Sequence, residues 1–442
     1  MSKEAFDLII GLGITGQSCV RYLAAQGMPV RALDTRAQPP GLDAWRKQFR
    51  DVPVHTGGYR EDWLEQARRL LVSPGIALST PEIARQIAAG KEVIGDIELF
   101  ARAASAPIAA ISGSNAKSTV TTLLGEMAQA AQRNALTGGN LGTPALDLLD
   151  ADAQLYLLEL SSFQLETTYS LDAQVATILN ISQDHMDRYR SLADYIAAKQ
   201  RVYDGCEIAV WNRDDEATRP QSSVPRELTF GEHEQADYQL DTSEGVLRCR
   251  GEVLLATSEL CLPGRHNALN VLAALAMAEA LQIPREPALQ AARTFRGLAH
   301  RCQLVAERGG VKWFNDSKGT NVGATLAALA GIGPAIDGKI VLIAGGQGKG
   351  QDFSPLVEAA RNHVRTALLL GEDAAQLEAA LPGVKCQRVS SMAEAVQQAA
   401  TQAQPGDAVL LSPACASFDM FSSYVARGDE FTRLAQEVAG EA

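Results

Sequence analysis

The sequence lacks the features that mark membrane-spanning, exported and disulfide-bonded proteins. No apolar run approaches the length of about 20 residues that a membrane-spanning helix needs, so we expect no membrane insertion. The first residues have no cationic head, hydrophobic segment or small-residue cleavage site, and we expect no export signal. The seven cysteines are scattered singly, without a C-x-x-C pair. This distribution favours reduced thiols in a cytoplasmic protein over a disulfide framework or a zinc site.

Length and composition are those of a globular chain with several domains. The chain has 442 residues, of which 46% are hydrophobic and 21% are charged. A chain of this length is expected to form roughly two to four domains. The formal net charge of −12 disfavours nucleic acid or an anionic membrane surface as the main partner.

Short apolar strands alternate with helical stretches in the first and last parts of the chain. Such alternation predicts parallel sheets with crossover helices, and therefore an α/β fold. In the middle, an apolar strand leads into a glycine-bearing loop and a long helix, whereas residues 214–251 are polar and predict loops and antiparallel hairpins. The predicted strands are residues 7–11, 30–34, 70–73, 108–112, 155–160, 175–180, 339–344, 366–371 and 408–412.

A glycine-rich turn, residues 11–16, has the pattern G-x-G-x-x-G between a predicted strand and a predicted helix. Its glycines allow a tight turn, and the free amides at the helix start suit a pyrophosphate. Asp34 closes the second strand, where an acidic side chain meets a ribose in dinucleotide-binding folds. NAD is the obvious ligand, but the pattern alone does not choose between nucleotide diphosphates, and a plain tight turn is the alternative.

A second loop, residues 113–119, has the character of a phosphate-binding loop. A strand delivers it and a helix leaves from it, so backbone amides can surround the β- and γ-phosphates of a nucleotide. Lys117 supplies a positive charge, and the Ser118 hydroxyl can reach Mg²⁺. The general Walker spacing is not met, because Ile111 and Ala116 stand where that pattern has glycines. A Ser- and Gly-rich helix cap is the alternative.

Three side chains downstream bear on a metal site. Glu159 ends a predicted strand, and an acid so placed resembles a second metal anchor beside a phosphate loop. His185 lies in the polar run 183–187, which is either a set of ligands or an exposed turn. Lys199 lies on a predicted helix, residues 192–203, and by itself predicts a solvated surface lysine.

The C-terminal part contains three compact polar or glycine-rich clusters, residues 315–321, 345–350 and 412–417. The second and third follow predicted strands, at the carboxyl edge where parallel sheets bind ligands. Ordinary surface loops are the alternative for the first two.

Together these runs resemble the Mur ligases of bacterial cell-wall synthesis over essentially the whole chain. The resemblance implies a Rossmann-like UDP-substrate domain in residues 1–94, a central P-loop ATPase-type mixed α/β domain in 95–299, and a Rossmann-like amino-acid-binding domain in 300–442. It also implies a cytoplasmic, monomeric, ATP-dependent amide ligase of peptidoglycan precursor synthesis. The runs that carry the resemblance are residues 113–119, 139–142, 158–165, 184–189, 264–267, 300–301, 315–321 and 345–350.

Residues 34–36 and 413–419 resemble one branch of this family, which adds D-glutamate to UDP-N-acetylmuramoyl-L-alanine through an acyl phosphate. This likeness reassigns the glycine-rich turn from NAD to the UDP diphosphate. The UDP-substrate residues that it implies are Gly13, Ile14, Thr15, Asp34, Thr35, Arg36, Ser73, Pro74, Gly75 and Asn140. The D-glutamate residues that it implies are Thr320, Lys349, Ser417, Phe418 and Tyr424.

The resemblance further implies sites for ATP and for two Mg²⁺ ions. Ser118 and Glu159 would hold one ion, and His185 and Lys199 the other, with Lys199 carbamylated by CO₂ into a carboxylate-like ligand. Lys117, His185 and Lys199 are the expected catalytic residues. The ATP-binding residues would be Gly113, Ser114, Asn115, Ala116, Lys117, Ser118, Thr119, Asn267, Asn270, Arg301, Asp316 and Lys318.

Two positions depart from the family pattern. Ala116 replaces the usual glycine, and a positive φ there would add about one kcal/mol of backbone strain. Tyr424 replaces a phenylalanine. A nucleotide-sensing or scaffold protein without catalysis is one rival hypothesis, and an NAD-dependent dehydrogenase is another. We also expect the C-terminal segment to close on ATP, because its clusters must reach the phosphate loop.

Overall fold

The computed structural model describes residues 5–262 and 264–440, and the first of its three sheets is five-stranded and parallel. Its elements are β1 (Asp7–Ile10), α1 (Ile14–Ala25), β2 (Val30–Asp34), α2 (Leu42–Gln48), β3 (Val54–Thr56), α3 (Glu61–Gln66), β4 (Arg69–Val72), α4 (Pro81–Ala88) and β5 (Glu92–Ile94). The strand order is β3-β2-β1-β4-β5, so the chain moves from β1 to one edge and later returns to the other side of β1. Open α/β sheets bind ligands at the carboxyl ends of strands where the order reverses in this way.

The central sheet has nine strands. Its elements are α5 (Asp96–Ala101), β6 (Ile108–Ser112), α6 (Lys117–Ala130), β7 (Ala135–Gly139), β8 (Leu155–Glu159), α7 (Ser162–Leu165), β9 (Val175–Ile178), α8 (Leu192–Gln200), β10 (Ile208–Asn212), β11 (Arg226–Gly231), β12 (Tyr238–Asp241), β13 (Val246–Cys249), β14 (Glu252–Ala256), α9 (Arg265–Ala280) and α10 (Arg285–Thr294). The strand order is β14-β13-β12-β11-β10-β9-β6-β8-β7, and β6 lies between its parallel neighbours β8 and β9.

Strand β6 is buried on both faces, which explains its uninterrupted apolar sequence. Ala109 and Ile111 pack in the core formed with α6 and α9. Ile108 and Ala110 face the opposite side, in a core shared with α1 and α5. The strand that delivers the phosphate loop is therefore held rigidly from both sides.

The prediction for residues 214–251 is correct only in part. The pairs β12–β13 and β13–β14 are antiparallel, as expected, but β11 runs parallel to β10 and β12 runs parallel to β11. The segment between β10 and β11 is long enough for the crossover that parallel pairing needs. Leu228 and Phe230 of β11 are buried in the core beneath α9, which makes this strand internal to the sheet.

The third sheet has six strands in the order β15-β16-β20-β17-β18-β19, and only β15 is antiparallel to its neighbour. Its elements are β15 (Gln303–Arg308), β16 (Val311–Asn315), α11 (Val322–Ile332), β17 (Ile340–Gly345), α12 (Leu356–His363), β18 (Val364–Leu370), α13 (Ala374–Ala380), β19 (Cys386–Arg388), α14 (Met392–Gln402), β20 (Ala408–Leu411) and α15 (Tyr424–Ala439). The predicted α/β fold with mainly parallel sheets is confirmed. No helix within the described part of the chain is both long enough and apolar enough to cross a membrane.

Candidate active site

The carboxyl ends of three neighbouring central strands meet at one edge of the sheet. In the strand register, Ile111 of β6 lies opposite Glu159 of β8, and Ser112 of β6 lies opposite Ile178 of β9. The phosphate loop follows β6, and the loop that contains His185 follows β9. Parallel pairing thus brings three segments that are distant in sequence to one place.

The phosphate loop is fixed by side chains from the segment after β9. The Asn115 amide donates to Asn180 Oδ1 (2.8 Å), and the Ser182 amide donates to Ser114 Oγ (2.9 Å), which also lies 3.1 Å from the Tyr195 hydroxyl. These three partners were not predicted from the sequence, because no short motif links them to the loop. These hydrogen bonds join the loop to the segment after β9 and to α8.

Ala116 adopts the left-handed conformation, with φ 65° and ψ −4°, and is the N-cap of α6. Ala116 therefore has the positive φ that the sequence analysis considered as a source of backbone strain. For a residue with a Cβ atom this conformation carries strain of about 1–2 kcal/mol. The strain lies at the point where the loop turns into the helix.

Two lysines converge on one main-chain oxygen of the loop. Lys117 Nζ donates to Gly113 O (2.8 Å) and to Ser114 O (3.0 Å), and Lys199 Nζ donates to Gly113 O (2.8 Å). Burial lowers the pKa of Lys117, although Glu159 opposes this effect. Both amines therefore lie where a phosphate group would bring negative charge.

Lys199 is only 1% exposed, so the expectation of a solvated surface lysine, made from the residue type alone, is wrong. The inner face of α8 consists of Tyr195, Ala198 and Lys199, and the ammonium group lies 4.7 Å from the Tyr195 ring. Burial, followed by the charge of Lys117, holds the pKa of Lys199 well below its ordinary value. The Lys199 amine therefore loses its proton more readily than a solvated lysine does.

Glu159 is 2% exposed at the end of β8. Its Oε1 accepts a hydrogen bond from Asn140 Nδ2 (2.8 Å), while its Oε2 is buried without a hydrogen-bond partner among the described residues. Burial raises the pKa of Glu159, but the charges of Lys117 and Arg301 and the neighbouring Ser118 and Asn140 side chains together bring the pKa below its ordinary value. The result is an ionised, buried carboxylate with a free oxygen.

His185 has a φ of 58°, and its ring lies 4.7 Å from that of Phe163. Burial lowers its pKa to about 4, in spite of the neighbouring Asp184 carboxylate. The imidazole is therefore neutral at pH 7 and can offer a lone pair to a metal ion. Among residues 5–262 and 264–440, no three His, Cys, Asp or Glu side chains form a ready-made metal cluster.

The C-terminal loops contact the central site directly. Arg301 Nη2 donates to Ser118 Oγ (2.9 Å), and Lys349 Nζ pairs with Asp184 Oδ1 (2.7 Å). Asn321, the N-cap of α11, donates its amide hydrogens to Asn115 Oδ1 and Asp184 Oδ2, each at 3.1 Å. The sequence included Asp184 and Asn321 in polar runs but did not predict that they meet.

Asp316 and Lys318 lie in the loop after β16. The Asp316 carboxylate accepts hydrogen bonds from Ser412 Oγ (2.7 Å) and the Cys302 amide (3.2 Å), and burial raises its pKa to about 6. Lys318 Nζ lies 4.0 Å from the Tyr424 ring. Burial and the Arg301 charge lower the pKa of Lys318 to about 8.

Arg427, on α15, was not predicted as a site residue, although it is only 2% exposed. Its guanidinium donates to Ser317 Oγ (3.0 Å), Ser317 O (2.8 Å), Cys415 O (3.1 and 3.2 Å) and Ala416 O (3.3 Å). It therefore joins the loop after β16 to the loop after β20. A lone arginine near the C-terminus gives no sequence signal for such a role.

The glycine-rich turn of the first sheet packs closely against the loop after β4. A Cβ on Gly11, which has a φ of 106°, would lie 2.6 Å from Ser73 Oγ, and a Cβ on Gly16 would lie 1.9 Å from Gly11 O. Asp34 Oδ2 accepts hydrogen bonds from the Leu12 amide (3.1 Å) and from Arg36 Nη2 (2.7 Å). Burial raises the pKa of Asp34, but the hydrogen bonds from Arg36 and the Leu12 amide, together with the Arg36 charge, lower the pKa overall.

The remaining predicted residues lie around these clusters. Ile14 and Phe418 are 69% and 71% exposed, the largest exposures among the large hydrophobic side chains of the described residues. Gly13 and Thr15 lie in the glycine-rich turn, Thr35 follows β2, and Ser73, Pro74 and Gly75 follow β4. Thr119 lies on α6, Asn267 and Asn270 on the first turns of α9, and Thr320 and Ser417 in the loops after β16 and β20.

Comparison with known proteins identifies the class to which this fold and site belong. Residues 6–95 match the model of a Mur ligase MurD-like N-terminal domain, residues 111–278 a Mur ligase middle domain, and residues 300–415 a Mur ligase, glutamate ligase domain. The chain belongs to the Mur ligase family, whose members are ATP-dependent amide ligases of peptidoglycan precursor synthesis that use ATP and Mg²⁺.

Curated relatives carry one particular name. The UDP-N-acetylmuramoylalanine–D-glutamate ligase of Alcanivorax borkumensis is 65% identical, over 99% of each chain. The ligases of the same name from Salmonella typhimurium and Pseudomonas putida are 52% and 51% identical, over 98% and 99% of each chain.

Solved structures share the fold at low sequence identity. The UDP-N-acetylmuramate-alanine ligase MurC of Thermotoga maritima has a TM-score of 0.62 and 18% identity, covering 98% of this chain and 99% of that one. The MurF ligase of Thermotoga maritima in complex with ADP has a TM-score of 0.62 and 15% identity, covering 100% of this chain and 96% of that one.

Proposed function

We propose that this chain joins D-glutamate to UDP-N-acetylmuramoyl-L-alanine, with ATP hydrolysed to ADP and phosphate, as a cytoplasmic monomer. The observation that carries the proposal is the convergence of the third sheet on the central one. Arg301 and Asn321 contact the phosphate loop, and Lys349 contacts the loop after β9. A nucleotide at the loop and an amine donor held by the third sheet would thus share one reaction space. The names of the relatives support the choice of substrates.

Phosphorylation of the acceptor carboxylate is the first step. A carboxylate is a poor electrophile at neutral pH, so transfer of the γ-phosphoryl group converts it into an acyl phosphate. The bond from the γ-phosphorus to ADP breaks as the bond to the carboxylate oxygen forms. Lys117, Arg301 and Lys318 are the cations near the loop that would neutralise the transferring group.

The donors at the central site fit Mg²⁺. Glu159 Oε2 is buried without a hydrogen-bond partner among the described residues, and such an orphaned carboxylate oxygen suits a hard cation. Ser118 and Glu159 would hold one ion, and His185 with a carbamylated Lys199 would hold another. When bound, the ions would neutralise charge on the phosphoryl oxygens. The chain's own part is to fix these donors around the loop.

Two features of its surroundings support the carbamylation of Lys199. A neutral amine attacks the carbon of CO₂ and loses a proton, which leaves a carbamate whose single negative charge is shared by two oxygens. Lys199 is fully buried and the Lys117 charge lies nearby; both lower the pKa of its amine, and the carbamate would gain a cationic partner. In the uncarbamylated form its Nζ donates to Gly113 O and offers no ligand.

The amine of D-glutamate then attacks the acyl phosphate. A tetrahedral intermediate forms, the carbon–oxygen bond to phosphate breaks, and the amide remains. Lys349 and the loops that hold Thr320 and Ser417 would bind the two carboxylates, with Phe418 and Tyr424 beside them. Arg427 joins the loops after β16 and β20 and would hold them in place for the amino acid.

The UDP group would bind at the glycine-rich turn of the first sheet. The start of α1, including Gly13, Ile14 and Thr15, presents backbone amides to a diphosphate. Asp34, Thr35 and Arg36 end the neighbouring strand, and Ser73, Pro74 and Gly75 form the facing loop. Asn140 would contact the sugar-peptide at the central end, beside Glu159.

The test is phosphate release from ATP with UDP-N-acetylmuramoyl-L-alanine and a panel of D- and L-amino acids. Release with D-glutamate, and only when both cosubstrates are present, is expected. Release with a different amino acid would overturn the assignment of the donor. No release with any of them would favour the non-catalytic hypothesis, and NADH-dependent absorbance changes would favour the dehydrogenase.

A further inference from the structure

Arg188 makes four different contacts near the candidate active site, and none of the roles described above uses it. It lies in the turn after His185, where the Arg188 amide donates to His185 O (2.9 Å). Its side chain is 13% exposed. A planar guanidinium that is nearly buried and held by several partners has little freedom to move.

Two of these contacts reach the first sheet. Nη1 of Arg188 donates to Pro74 O (2.8 Å), and Nη2 donates to Ile76 O (3.3 Å). Both carbonyls belong to the loop after β4, which faces the glycine-rich turn. Arg188 therefore joins the His185 segment of the central sheet to the loop proposed to bind the UDP-substrate.

The other two contacts fix the guanidinium on the central side. Nη2 of Arg188 pairs with Glu166 Oε2 (2.6 Å), and the guanidinium carbon lies 4.1 Å from the centre of the Phe163 ring. The other neighbours of Phe163 are the His185 ring, at 4.7 Å, and the Tyr189 ring, stacked at 6.0 Å. The Phe163 ring thus contacts both the arginine and the imidazole.

We propose that Arg188 is a positioning residue that couples the binding of the UDP-substrate at the Pro74–Ile76 carbonyls to the orientation of the His185 imidazole. The inference rests on the proposed function, because it takes the loop after β4 as the UDP-substrate loop and His185 as a functional imidazole. Movement of that loop moves its two carbonyls, the guanidinium follows them, and the Phe163 ring transmits the shift to His185.

Lysine is the informative replacement at this position. Arg188→Lys keeps the positive charge and can keep one carbonyl contact, but it loses the planar fork and the stacking surface. Arg201→Lys is the matched control. Arg201 also bonds two carbonyls, Leu165 O (2.8 Å) and Thr168 O (2.5 Å), and lies 4.8 Å from the Tyr169 ring, but all of these partners belong to the central part of the chain.

The first readout does not need catalysis. The chain has six histidines, and with ¹⁵N-labelled histidine the ring signal of His185 can be assigned by its loss in His185→Gln. Adding UDP-N-acetylmuramoyl-L-alanine without nucleotide is expected to shift this signal in the wild type and in Arg201→Lys. In Arg188→Lys the shift is expected to be lost at saturating substrate. An undiminished shift in Arg188→Lys would overturn the proposal.

The second readout is steady-state kinetics. Arg188→Lys is expected to raise the KM for UDP-N-acetylmuramoyl-L-alanine about tenfold and to lower kcat, while the KM for D-glutamate changes less than twofold. Arg201→Lys is expected to change none of the three. Equal changes in every KM, or equal effects of the two variants, would reduce Arg188 to a structural role and contradict the proposal. A wild type without ligase activity would sink the proposed function instead, while the histidine signal would still test the coupling.

Discussion

Lys349 and Asp184 are 165 positions apart in sequence, and their side chains form a 2.7 Å ion pair that joins the glycine-rich loop of the third sheet to the loop after β9. Burial raises the pKa of Asp184, but the Lys349 charge and the hydrogen bonds from Lys349 and Asn321, together with His185, lower it to about 2. Asn321 donates to the other carboxylate oxygen of Asp184 at 3.1 Å. The third sheet therefore contacts the central sheet through a largely buried ion pair.

Removing the charge of Asp184 is expected to favour an arrangement in which the third sheet lies farther from the central sheet. In Asp184→Asn the Lys349 ammonium loses its buried partner, which costs about 2–3 kcal/mol at the contact between the sheets. Small-angle scattering should show a larger radius of gyration for Asp184→Asn than for the wild type, both with a non-hydrolysable ATP analogue and the UDP-substrate present. Glu378→Gln, which breaks the exposed pair with Arg388, is the control and should leave the profile unchanged. Identical profiles for all three proteins would contradict the role of the ion pair.

Lys117 is the second target. Its amine is the loop cation, and replacing it with alanine removes a charge that the transferring phosphoryl group needs. We expect Lys117→Ala to reduce ADP formation by at least about 100-fold, with the fold retained. The exposed Lys385→Ala is the control and should keep full activity. Retained turnover in Lys117→Ala would exclude the proposed phosphoryl transfer.

The strain at Ala116 predicts that replacing this residue with glycine will stabilise the protein. With φ at 65°, Ala116→Gly removes the Cβ conflict, and part of the gain is offset by the greater freedom of glycine in the unfolded chain. Chemical denaturation should show a rise in the free energy of unfolding of about 0.5–1 kcal/mol. Ala130→Gly, at the exposed end of α6, should lower it by up to about 1 kcal/mol. A loss of stability in Ala116→Gly would mean that this residue is not strained.

Lys318 provides a pH-dependent prediction. Burial lowers its pKa from 10.5 to about 8 in the folded protein, so the unfolded chain binds more protons between these two values. The penalty for burying the charge is therefore complete below pH 8 and disappears as the pH rises toward 10.5. Lys318→Met should be more stable than the wild type by at most about 3 kcal/mol below pH 8, and the difference should shrink above it. Lys385→Met, at an exposed position, should show no such trend, and a pH-independent difference for Lys318→Met would contradict the assignment.

Strands could be predicted where the hydrophobic pattern of a segment matches its position in the folded sheet. Residues 108–112 are apolar because β6 is buried on both faces, and its bounds were predicted correctly. The parallel pairing of β11 was not predictable, because it depends on a crossover after β10 that leaves no hydrophobic periodicity. Hydrophobic periodicity and turn residues report on contacts between residues that are close in sequence. The order of the strands depends on contacts between distant parts of the chain.

The candidate site likewise has residues that local sequence predicts and residues whose position depends on packing. The loop of residues 113–119 was found from its own residues, but the burial of Lys199 follows from the packing of α8 against that loop. Arg188 and Arg427 contact main-chain carbonyls of distant segments. Because every residue has such a carbonyl, these contacts leave no pattern in the sequence. Residues that bind a ligand directly leave a motif, while those that position them do not.

The central claim is that ATP activates the carboxylate of the UDP-substrate before the amine attacks. It is tested most directly with UDP-N-acetylmuramoyl-L-alanine whose carboxylate carries ¹⁸O in both oxygens, incubated with ATP, Mg²⁺ and D-glutamate. If an acyl phosphate forms and the amine displaces phosphate, one labelled oxygen must leave with the phosphorus and the other must remain in the amide. We expect one ¹⁸O atom in each phosphate released, as measured by mass spectrometry. Unlabelled phosphate accompanying amide formation would contradict the account.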